Sequence, residues 1–534
     1  MSPARRLVLA AALLLPAAGQ AATPRDALVM AWNLDALITL DPAQIGEVNG
    51  NDIILGNVCT PLVQYDPKDI ARVVPAAAES WSASPDGLTL TFMLRGDLKF
   101  PDGRAATAGD AAWSMQRAVL LGYGNSANLT QWGFTKDNVV ERIRATDDRT
   151  LVVTMDKPYP ANLILSAVFS RNVAVILDRA AAEKGAKVVD GKSDLGNAAF
   201  KTGPVCVGPY RVTRWDANDV IALERNDGFF GPKPAMRRVI IRHVPESSAE
   251  RLLLEKGDID VARLLTTDDL KAMEANADIR IEQTVVQGIS YIAINTTDPV
   301  LSNPKVREAF RYLIDYDGLA TSILPYQGIP RASLVPEGAF GALDHQAGQP
   351  FKLDLAKAKQ LLVEAGYPDG FTKKLILSAN SISPNIAQHV AFNAAKVGIK
   401  LELEQMADAN LFTRGRNREF ELQLVAWYAD YPDADAMVNR HAVNPDKRAE
   451  AKLTMYPVWR TGWQDLGINE QAATARMEPD PAKRIAMYHA IQEFMMHNGP
   501  VVYIYQNIRP IAVRTSVKGF EISPFFVNYG SASK

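Results

Sequence analysis

The sequence predicts a mixed α/β protein with several sheets, and three observations support this prediction. Segments with the two-residue hydrophobic alternation of strands recur along the chain, as in Thr89–Leu94, whose leucine and phenylalanine side chains would face inward. Other segments have helical spacing and begin at a capping residue, such as Asn303 followed by Pro304. The two kinds of segment alternate without a repeat of fixed period, which is typical of α/β chains.

The N-terminal segment has the pattern of a secretory signal peptide over residues 1–21. Arg5 and Arg6 precede an apolar run at residues 7–18, and small residues follow it. The run is shorter than the ~20 residues that a membrane-spanning helix needs. Cleavage is expected after about Ala21, and no lipid anchor is expected because no cysteine lies near that point. The mature chain is therefore predicted to be soluble and periplasmic.

The remaining elements can be assigned in chain order. After the strand at Thr89–Leu94, strands are expected at residues 150–155, 210–215, 220–223, 239–244, 291–294 and 501–505. The second and third of these six would form a hairpin. Three helices have clear boundaries, because they follow the capping side chains of Asn303, Asp354 and Asp480, and glycines end the last two.

Composition and charge limit the function. The chain has 534 residues, 47% of them apolar and 22% charged, which are ordinary values for a globular protein with two or three folding units. The formal net charge of −2 argues against nucleic acid as the main partner, because phosphate neutralisation needs a cationic surface. Six histidines and two cysteines offer little material for metal chemistry, and we expect neither a metal site nor another cofactor.

Cys59 and Cys206 are the two cysteines of the chain. An exported protein folds in an oxidising compartment, where a disulfide can persist. We therefore expect one disulfide between them, the alternative being two buried thiols that never meet.

Short motifs occur in a fixed order along nearly the whole mature chain. They are AESW at 78–81, PDGLTLTF at 85–92, LR at 94–95, FPDG at 100–103, TAGD at 107–110, GPY at 208–210, LERN at 223–226, GDID at 257–260, NT at 295–296, VREA at 306–309, ID at 314–315, AK at 358–359, LL at 361–362 and AGY at 365–367. In this order, the motifs resemble those of the extracytoplasmic solute-binding proteins of peptide-type ABC transporters, the family of dipeptide- and oligopeptide-binding proteins.

The resemblance implies two lobes with a ligand cleft between them. Lobe I would hold residues 22–285 and 502–534, with an inserted subdomain at about 70–200, and lobe II would hold residues 286–501. The hinge would lie near 283–288 and 499–503. Ligand would be captured by lobe closure, as in other periplasmic binders, and a monomeric protein would deliver it to the permease of an ABC importer in the inner membrane.

The resemblance also implies ligand-binding residues. Asp430 matches the family position whose carboxylate pairs with the α-ammonium group of the ligand, and Trp427 matches an aromatic residue that lines the pocket. A cation enclosed by lobe closure needs a fixed anion, since its desolvation is otherwise costly. Tyr291 matches another ligand-contacting position, and Asn49 and Gly50 lie where family members offer backbone groups. Alternatively, Trp427 is a core residue, Asp430 begins a turn, and Tyr291 is an ordinary aromatic residue of a strand.

Two departures from the family concern the carboxylate of the ligand. Asn380 stands where dipeptide binders carry an arginine, and Leu424 stands where some oligopeptide binders carry one. Arg331 or Arg416 would have to replace them. The predicted ligand is therefore a peptide or peptide-like solute with an amine. The alternative is the same transport role with a non-peptide ligand, namely an opine-like compound, an oligosaccharide, a metal chelate, haem or glutathione.

An enzyme is the main rival from another functional class. The sequence contains neither a G-x-S-x-G motif nor an H-E-x-x-H motif, and its histidines lack the spacing of metal ligands. We therefore expect no catalytic activity and no catalytic residues. A chaperone role is a secondary possibility. Asp433 and Asp435, which follow Asp430, are expected to serve a turn or a helix start.

Overall fold

The computed structural model describes residues 23–45, 48–379 and 382–534. The predicted signal peptide and Asn380 therefore lie outside the described residues. Within these three ranges, no helix combines the length and the apolar composition that crossing a membrane requires.

The described residues form a mixed α/β fold, as predicted. The strands are β1 (Ala27–Trp32), β2 (Val63–Asp66), β3 (Asp69–Pro75), β4 (Ala78–Ala83), β5 (Thr89–Leu94), β6 (Ile143–Ala145), β7 (Thr150–Thr154), β8 (Val188–Val189), β9 (Lys192–Ser193), β10 (Tyr210–Asp216), β11 (Val220–Arg225), β12 (Arg238–His243), β13 (Val261–Ala262), β14 (Ile279–Ile294), β15 (Gly328–Pro330), β16 (Phe371–Ser378), β17 (Ile399–Met406), β18 (Leu422–Tyr428), β19 (Val501–Arg514), β20 (Glu521–Ile522) and β21 (Val527–Asn528).

The α-helices surround these strands. They are α1 (Val48–Ile54), α2 (Ala108–Leu121), α3 (Ala127–Thr130), α4 (Val139–Arg142), α5 (Ala161–Ile164), α6 (Arg179–Gly185), α7 (Asn197–Phe200), α8 (Ser247–Lys256), α9 (Thr267–Met273), α10 (Pro304–Arg311), α11 (Tyr316–Ser322), α12 (Leu355–Glu364), α13 (Ser383–Ala395), α14 (Asp408–Arg416), α15 (Ala434–His441), α16 (Pro457–Arg460), α17 (Leu466–Met477) and α18 (Pro481–Asn498). A π-helical turn at Leu165–Phe169 and short 3₁₀ turns at Gly124–Ser126, Asn172–Ala174 and Ala449–Ala451 complete the helical structure.

A single sheet of 11 strands runs through the protein, in the order β10-β11-β12-β1-β13-β19-β14-β18-β16-β17, with β15 pairing to β19. Its centre is the antiparallel pair of β14 and β19, the two longest strands, with 16 and 14 residues. The register of this pair shifts between Val285 and Ile289, which overlaps the predicted crossover at 283–288. Their partners in β19 are Ile508 and Gln506, which follow the second predicted crossover at 499–503.

A second sheet lies in the region expected for the inserted subdomain. It has four strands in the order β4-β5-β7-β6, and α2 packs against it. The alternation predicted for β5 is confirmed, since Leu90, Phe92 and Leu94 are at most 3% exposed. The opposite face of β5 is half-buried.

The predicted helix starts are confirmed by their capping hydrogen bonds. The side chain of Asn303 accepts a hydrogen bond from the Lys305 N–H at the start of α10. Asp354 and Asp480 accept equivalent bonds at the starts of α12 and α18. The strand predicted at 291–294 is longer than expected, because it is the end of β14, whose first half is only partly buried and lacks a strong apolar alternation.

The predicted disulfide is confirmed. Cys59 and Cys206 are bonded with their Cα atoms 5.0 Å apart, across a sequence separation of 147 residues. Both residues are buried, and they lie in a hydrophobic core that also contains residues of β1, β11 and β12. The bond therefore ties the turn after α1 to the segment that leads into β10.

Candidate functional site

A cavity of about 170 Å³ lies where the middle of β14 and the end of β18 meet α1 and β19. Gln287 from β14 and the consecutive residues Tyr428, Ala429 and Asp430 form one wall. The Ala429 N–H donates a 2.7 Å hydrogen bond to the Gln287 carbonyl, which fixes the chain where it leaves β18. This wall belongs to the predicted lobe II.

The other wall comes from segments of the predicted lobe I. Asn51 and Asp52 project from α1, Arg509 from β19, and Arg171 from the turn after the π-helical segment. Phe525, near the C-terminus, adds an aromatic ring that packs 5.1 Å from Tyr65. The cavity is therefore enclosed by segments that are distant in sequence.

The carboxylate of Asp430 is available to a ligand. Its side chain is 40% exposed. Among the described residues, its ion-pair partner is Arg440, whose guanidinium lies 3.9 Å from the carboxylate. That distance exceeds a hydrogen bond, and a partly solvated ion pair of this kind contributes little free energy. Asp430 can therefore accept hydrogen bonds from an enclosed ammonium group.

The opposite wall carries an excess of positive charge. Asp52 forms ion pairs with two arginines, the buried Arg263 and, at 3.2 Å, Arg509. Two guanidinium groups thus share one carboxylate. Arg171 is half-buried, and its guanidinium has no ion pair or hydrogen bond within residues 23–45, 48–379 and 382–534. An unpaired guanidinium at a cavity wall is suited to a carboxylate, which it can bind through two parallel hydrogen bonds.

A buried carboxyl group stands behind this wall. Glu250 is 0% exposed, and it accepts hydrogen bonds of 2.8 and 2.9 Å from the N–H groups of Arg263 and Leu264. Burial raises the pKa of Glu250 to about 8, while those N–H donors and the charge of Arg263 oppose the shift. Glu250 is therefore mostly protonated at neutral pH and adds little negative charge near Arg263.

Trp427 and Tyr291 lie on the other face of the sheet and do not line the cavity. The Trp427 ring is 5.9 Å from the ring of His441, and the guanidinium of Arg460 is 5.7 Å from it. Tyr291 is 1% exposed and packs 5.1 Å from His441 and 5.9 Å from Tyr503. Burial lowers the pKa of His441 to about 3, so this cluster contains a neutral imidazole. Both residues thus pack on His441 at the face of β14 and β18 that is turned away from the cavity.

Asn49 and Gly50 lie in α1, next to the two α1 residues that face the cavity. The side chain of Asn49 lies outside the described part of the chain. Gly50 is buried, and a Cβ atom at this position would come within 2.4 Å of Ile45. Gly50 therefore allows close packing of α1, whereas Asn51 and Asp52 reach the cavity.

The other residues considered from the sequence have structural partners. Asp433 caps α15 by accepting a hydrogen bond from the Asp435 N–H, which confirms its role at a helix start. It also pairs with the buried Arg484 at 2.7 Å. Arg331 is fully buried and donates to the backbone carbonyls of residues 335, 343 and 344, so it is not available as a carboxylate anchor. Leu424 is 2% exposed.

Sequence reasoning missed Arg171 and Arg509. Neither belongs to a recognisable motif, and the fold alone brings them opposite Asp430. The sequence contains one signal for Arg171. This charged residue directly follows a buried segment that includes Leu165–Phe169, and a charge at such a position can mark a functional residue. Among the described residues, no group of three or more His, Cys, Asp or Glu side chains could hold a metal ion.

Comparisons with known proteins bear on this arrangement. Residues 72–448 match the sequence profile described as "Bacterial extracellular solute-binding proteins, family 5 Middle". The chain is 27% identical over 514 residues to the probable D,D-dipeptide-binding periplasmic protein DdpA of Escherichia coli K12, which covers 94% of this chain and 93% of that protein. It is 25% identical over 455 residues to the glutathione-binding protein GsiB of the same strain, covering 84% and 83%.

The fold is also similar to that of solved structures. A dipeptide-binding protein of Pseudoalteromonas sp. SM9913, in complex with Met-Leu, superimposes with a TM-score of 0.75 at 20% sequence identity. The match covers 95% of this chain and 100% of that protein. At this level of identity the similarity concerns the fold.

Proposed function

The chain belongs to the bacterial extracellular solute-binding proteins of family 5, and we propose that it is the exported solute-binding component of an ABC importer that captures a small zwitterionic peptide or peptide-like solute. Proteins of this family bind transported substrates and are not enzymes. The proposal adds to family membership a specific ligand chemistry, which comes from the charges around the cavity.

The observation that carries the proposal is that Asp430 and Arg171 line the same small cavity. An ammonium group would be held by Asp430, and a carboxylate by Arg171 with support from Arg509. The volume of about 170 Å³ is below the ~300–1,000 Å³ that drug-sized ligands occupy. A solute of about two residues, with one charge of each sign, satisfies both walls at once.

The remaining predicted site residues have indirect roles in this proposal. Trp427 and Tyr291 position the end of β18 through their packing on His441. Asn49 and Gly50 belong to the helix that presents Asn51 and Asp52. Direct contact with the charged groups of the solute is assigned to Asp430, Arg171 and Arg509.

Lobe closure would bring the two walls together. In this proposal lobe I comprises residues 22–285 and 502–534, and lobe II comprises residues 286–501. The register shift of the central strand pair, between Val285 and Ile289, supports a hinge at this point. The closed, liganded form is the one that the membrane permease would recognise.

Export and oligomeric state are part of the same proposal. Cleavage after about Ala21 would release the mature chain into the periplasm, in keeping with a family of extracellular proteins and with a disulfide between Cys59 and Cys206. We propose that it acts there as a monomer, since each chain carries both walls of its own cavity.

The test is to identify the solute that the protein retains. Wild-type protein is purified from the periplasm, its mass is measured under native conditions, and the bound solute is released by denaturation and identified. We expect a solute with an amine and a carboxylate. Asp430→Asn protein purified in parallel should lose it, whereas Asp190→Asn, the same change at an exposed turn, should retain it. A retained solute without an amine, such as an oligosaccharide, would assign the non-peptide alternative.

A further inference from the structure

We propose that the side chain of Tyr428 sets the length of the bound solute by separating two compartments along β18. The inference rests on the proposed function, because it concerns how far a peptide chain can extend beyond the charged cavity. It makes Tyr428 a specificity-determining residue.

The first observation is that Tyr428 lines two cavities. One is the charged cavity of about 170 Å³ that contains Asp430. The other has a volume of about 250 Å³ and lies along the same strand, beside Leu424 and Ala426 and below the start of α13 at Ser383. Tyr428 is the residue common to both linings. Its ring therefore stands between the two spaces.

The position of the ring follows from the strand pairing. Tyr428 lies directly opposite Gly288 in the antiparallel pair of β18 and β14. A Cβ atom on Gly288 would come within 2.4 Å of the Tyr428 Cε1 atom, so the ring occupies the space that a side chain at Gly288 would fill. The Tyr428 hydroxyl has no hydrogen bond to any described residue. The ring lies over Gly288, and 49% of the residue is exposed.

The second compartment differs chemically from the first. No charged residue of the described chain lines it, and its polar groups include the side chains of Ser290, Gln327 and Asn507. Such groups suit the amide units of a peptide backbone, whereas a terminal carboxylate would lack a cationic partner there. The compartment therefore fits the continuation of a peptide chain.

The main chain beside this compartment is also free to pair. Strand β16 pairs with β18 only up to Leu424, so residues 425–428 have no strand neighbour on that side within the described ranges. An extended peptide can add to a free strand edge through main-chain hydrogen bonds. With the Tyr428 ring in place, a solute held at Asp430 cannot reach this edge, and short solutes with both charged ends in the first cavity are favoured.

The experiment compares a short and a long probe. Calorimetric titrations with dialanine amide and with trialanine amide are carried out on wild-type, Tyr428→Ala and Tyr428→Phe proteins, after their thermal unfolding temperatures have confirmed that they fold. We expect wild type to bind trialanine amide at least ten times more weakly than dialanine amide, and Tyr428→Ala to reduce that ratio to threefold or less. Tyr428→Phe should keep the wild-type ratio, because it keeps the ring.

A Tyr428→Ala protein with the wild-type ratio would overturn the inference, as would a Tyr428→Phe protein that behaves like Tyr428→Ala. Tyr428→Val, which retains strand propensity, replaces the alanine variant if that variant does not fold. If wild type binds neither probe, the proposed peptide ligand is wrong. The molecular masses of the solutes released from the wild-type and variant proteins are then compared by mass spectrometry. A larger solute in the variant supports the partition, and an identical solute overturns it.

Discussion

The Asp430 carboxylate lies 3.9 Å from the Arg440 guanidinium, so the two residues are close enough to interact electrostatically but too far apart to share a hydrogen bond. Asp430 precedes α15 and Arg440 is in the last turn of that helix. The lone pairs of the carboxylate therefore remain open to a cationic group entering the cavity. A closer pair would have made Asp430 a structural residue.

Replacing Asp430 by Asn should weaken the binding of an amine-bearing solute by about 2–5 kcal/mol, the range for removing one member of an enclosed charge pair. The side chain keeps its size, so the free energy of unfolding should change little. Titration calorimetry of both proteins with the identified solute measures the effect, and Asp190→Asn is the matched control. An unchanged affinity would show that no ammonium group binds at Asp430.

Replacing Arg171 by Gln should weaken the binding of solutes with a free carboxylate and leave their amidated analogues unaffected. The reason is that Arg171 supplies the unpaired guanidinium of the wall opposite Asp430. Arg416→Gln, the same change at an exposed helix end, is the control. Equal losses for the carboxylate and the amide would mean that Arg171 acts on the cavity wall and not on the ligand charge.

Glu250 should make the protein less stable as the pH rises. Its pKa is about 8 in the folded state because of burial, against 4.5 when unfolded, so the folded state binds the extra proton between these values. The stabilisation is fully present below about pH 4.5 and is lost as the pH rises through 8. At about 1.4 kcal/mol for each pKa unit, the loss at pH 8 is on the order of 4 kcal/mol.

The Glu250→Gln variant should remove this dependence, since the amide resembles the protonated acid. Chemical denaturation at pH 5 and pH 8 would then show a variant that is more stable than wild type at pH 8 and similar to it at pH 5. Glu255→Gln, on the exposed side of the same helix, should behave as wild type at both values. A variant without any gain at pH 8 would place the pKa of Glu250 near its ordinary value.

Reducing the bond between Cys59 and Cys206 should lower the thermal unfolding temperature, with a loss of about 2–4 kcal/mol in unfolding free energy. The bond closes a loop of 147 residues, and opening it increases the entropy of the unfolded chain. Scanning calorimetry with and without a phosphine reductant measures the change. The Cys59→Ala/Cys206→Ala protein should not respond to the reductant, and a response would point to another target.

The sequence was sufficient where the signal is local. Hydrophobic alternation predicts β5, and capping side chains predict the starts of α10, α12 and α18. A short sequence motif identifies Asp430 as a candidate ligand-binding residue. Arg171 and Arg509 could not be found this way, because one lies in the turn after the π-helical segment and the other in β19, and only the tertiary fold brings both to the cavity of Asp430. Alternation likewise predicts that Tyr291 lies on one face of its strand, but only the packing of His441 shows that this face is covered.

The central pair of strands also has a consequence for how the protein unfolds. β14 pairs with β19 from Ile279 to Val285 and again from Ile289 to Ala293, while β13 joins the first of these stretches and β18 joins the second. The regions on either side of the charged cavity are therefore joined through the same two strands. Neither region can melt without disrupting strands that the other needs, so a chain with two lobes should behave as a single cooperative unit.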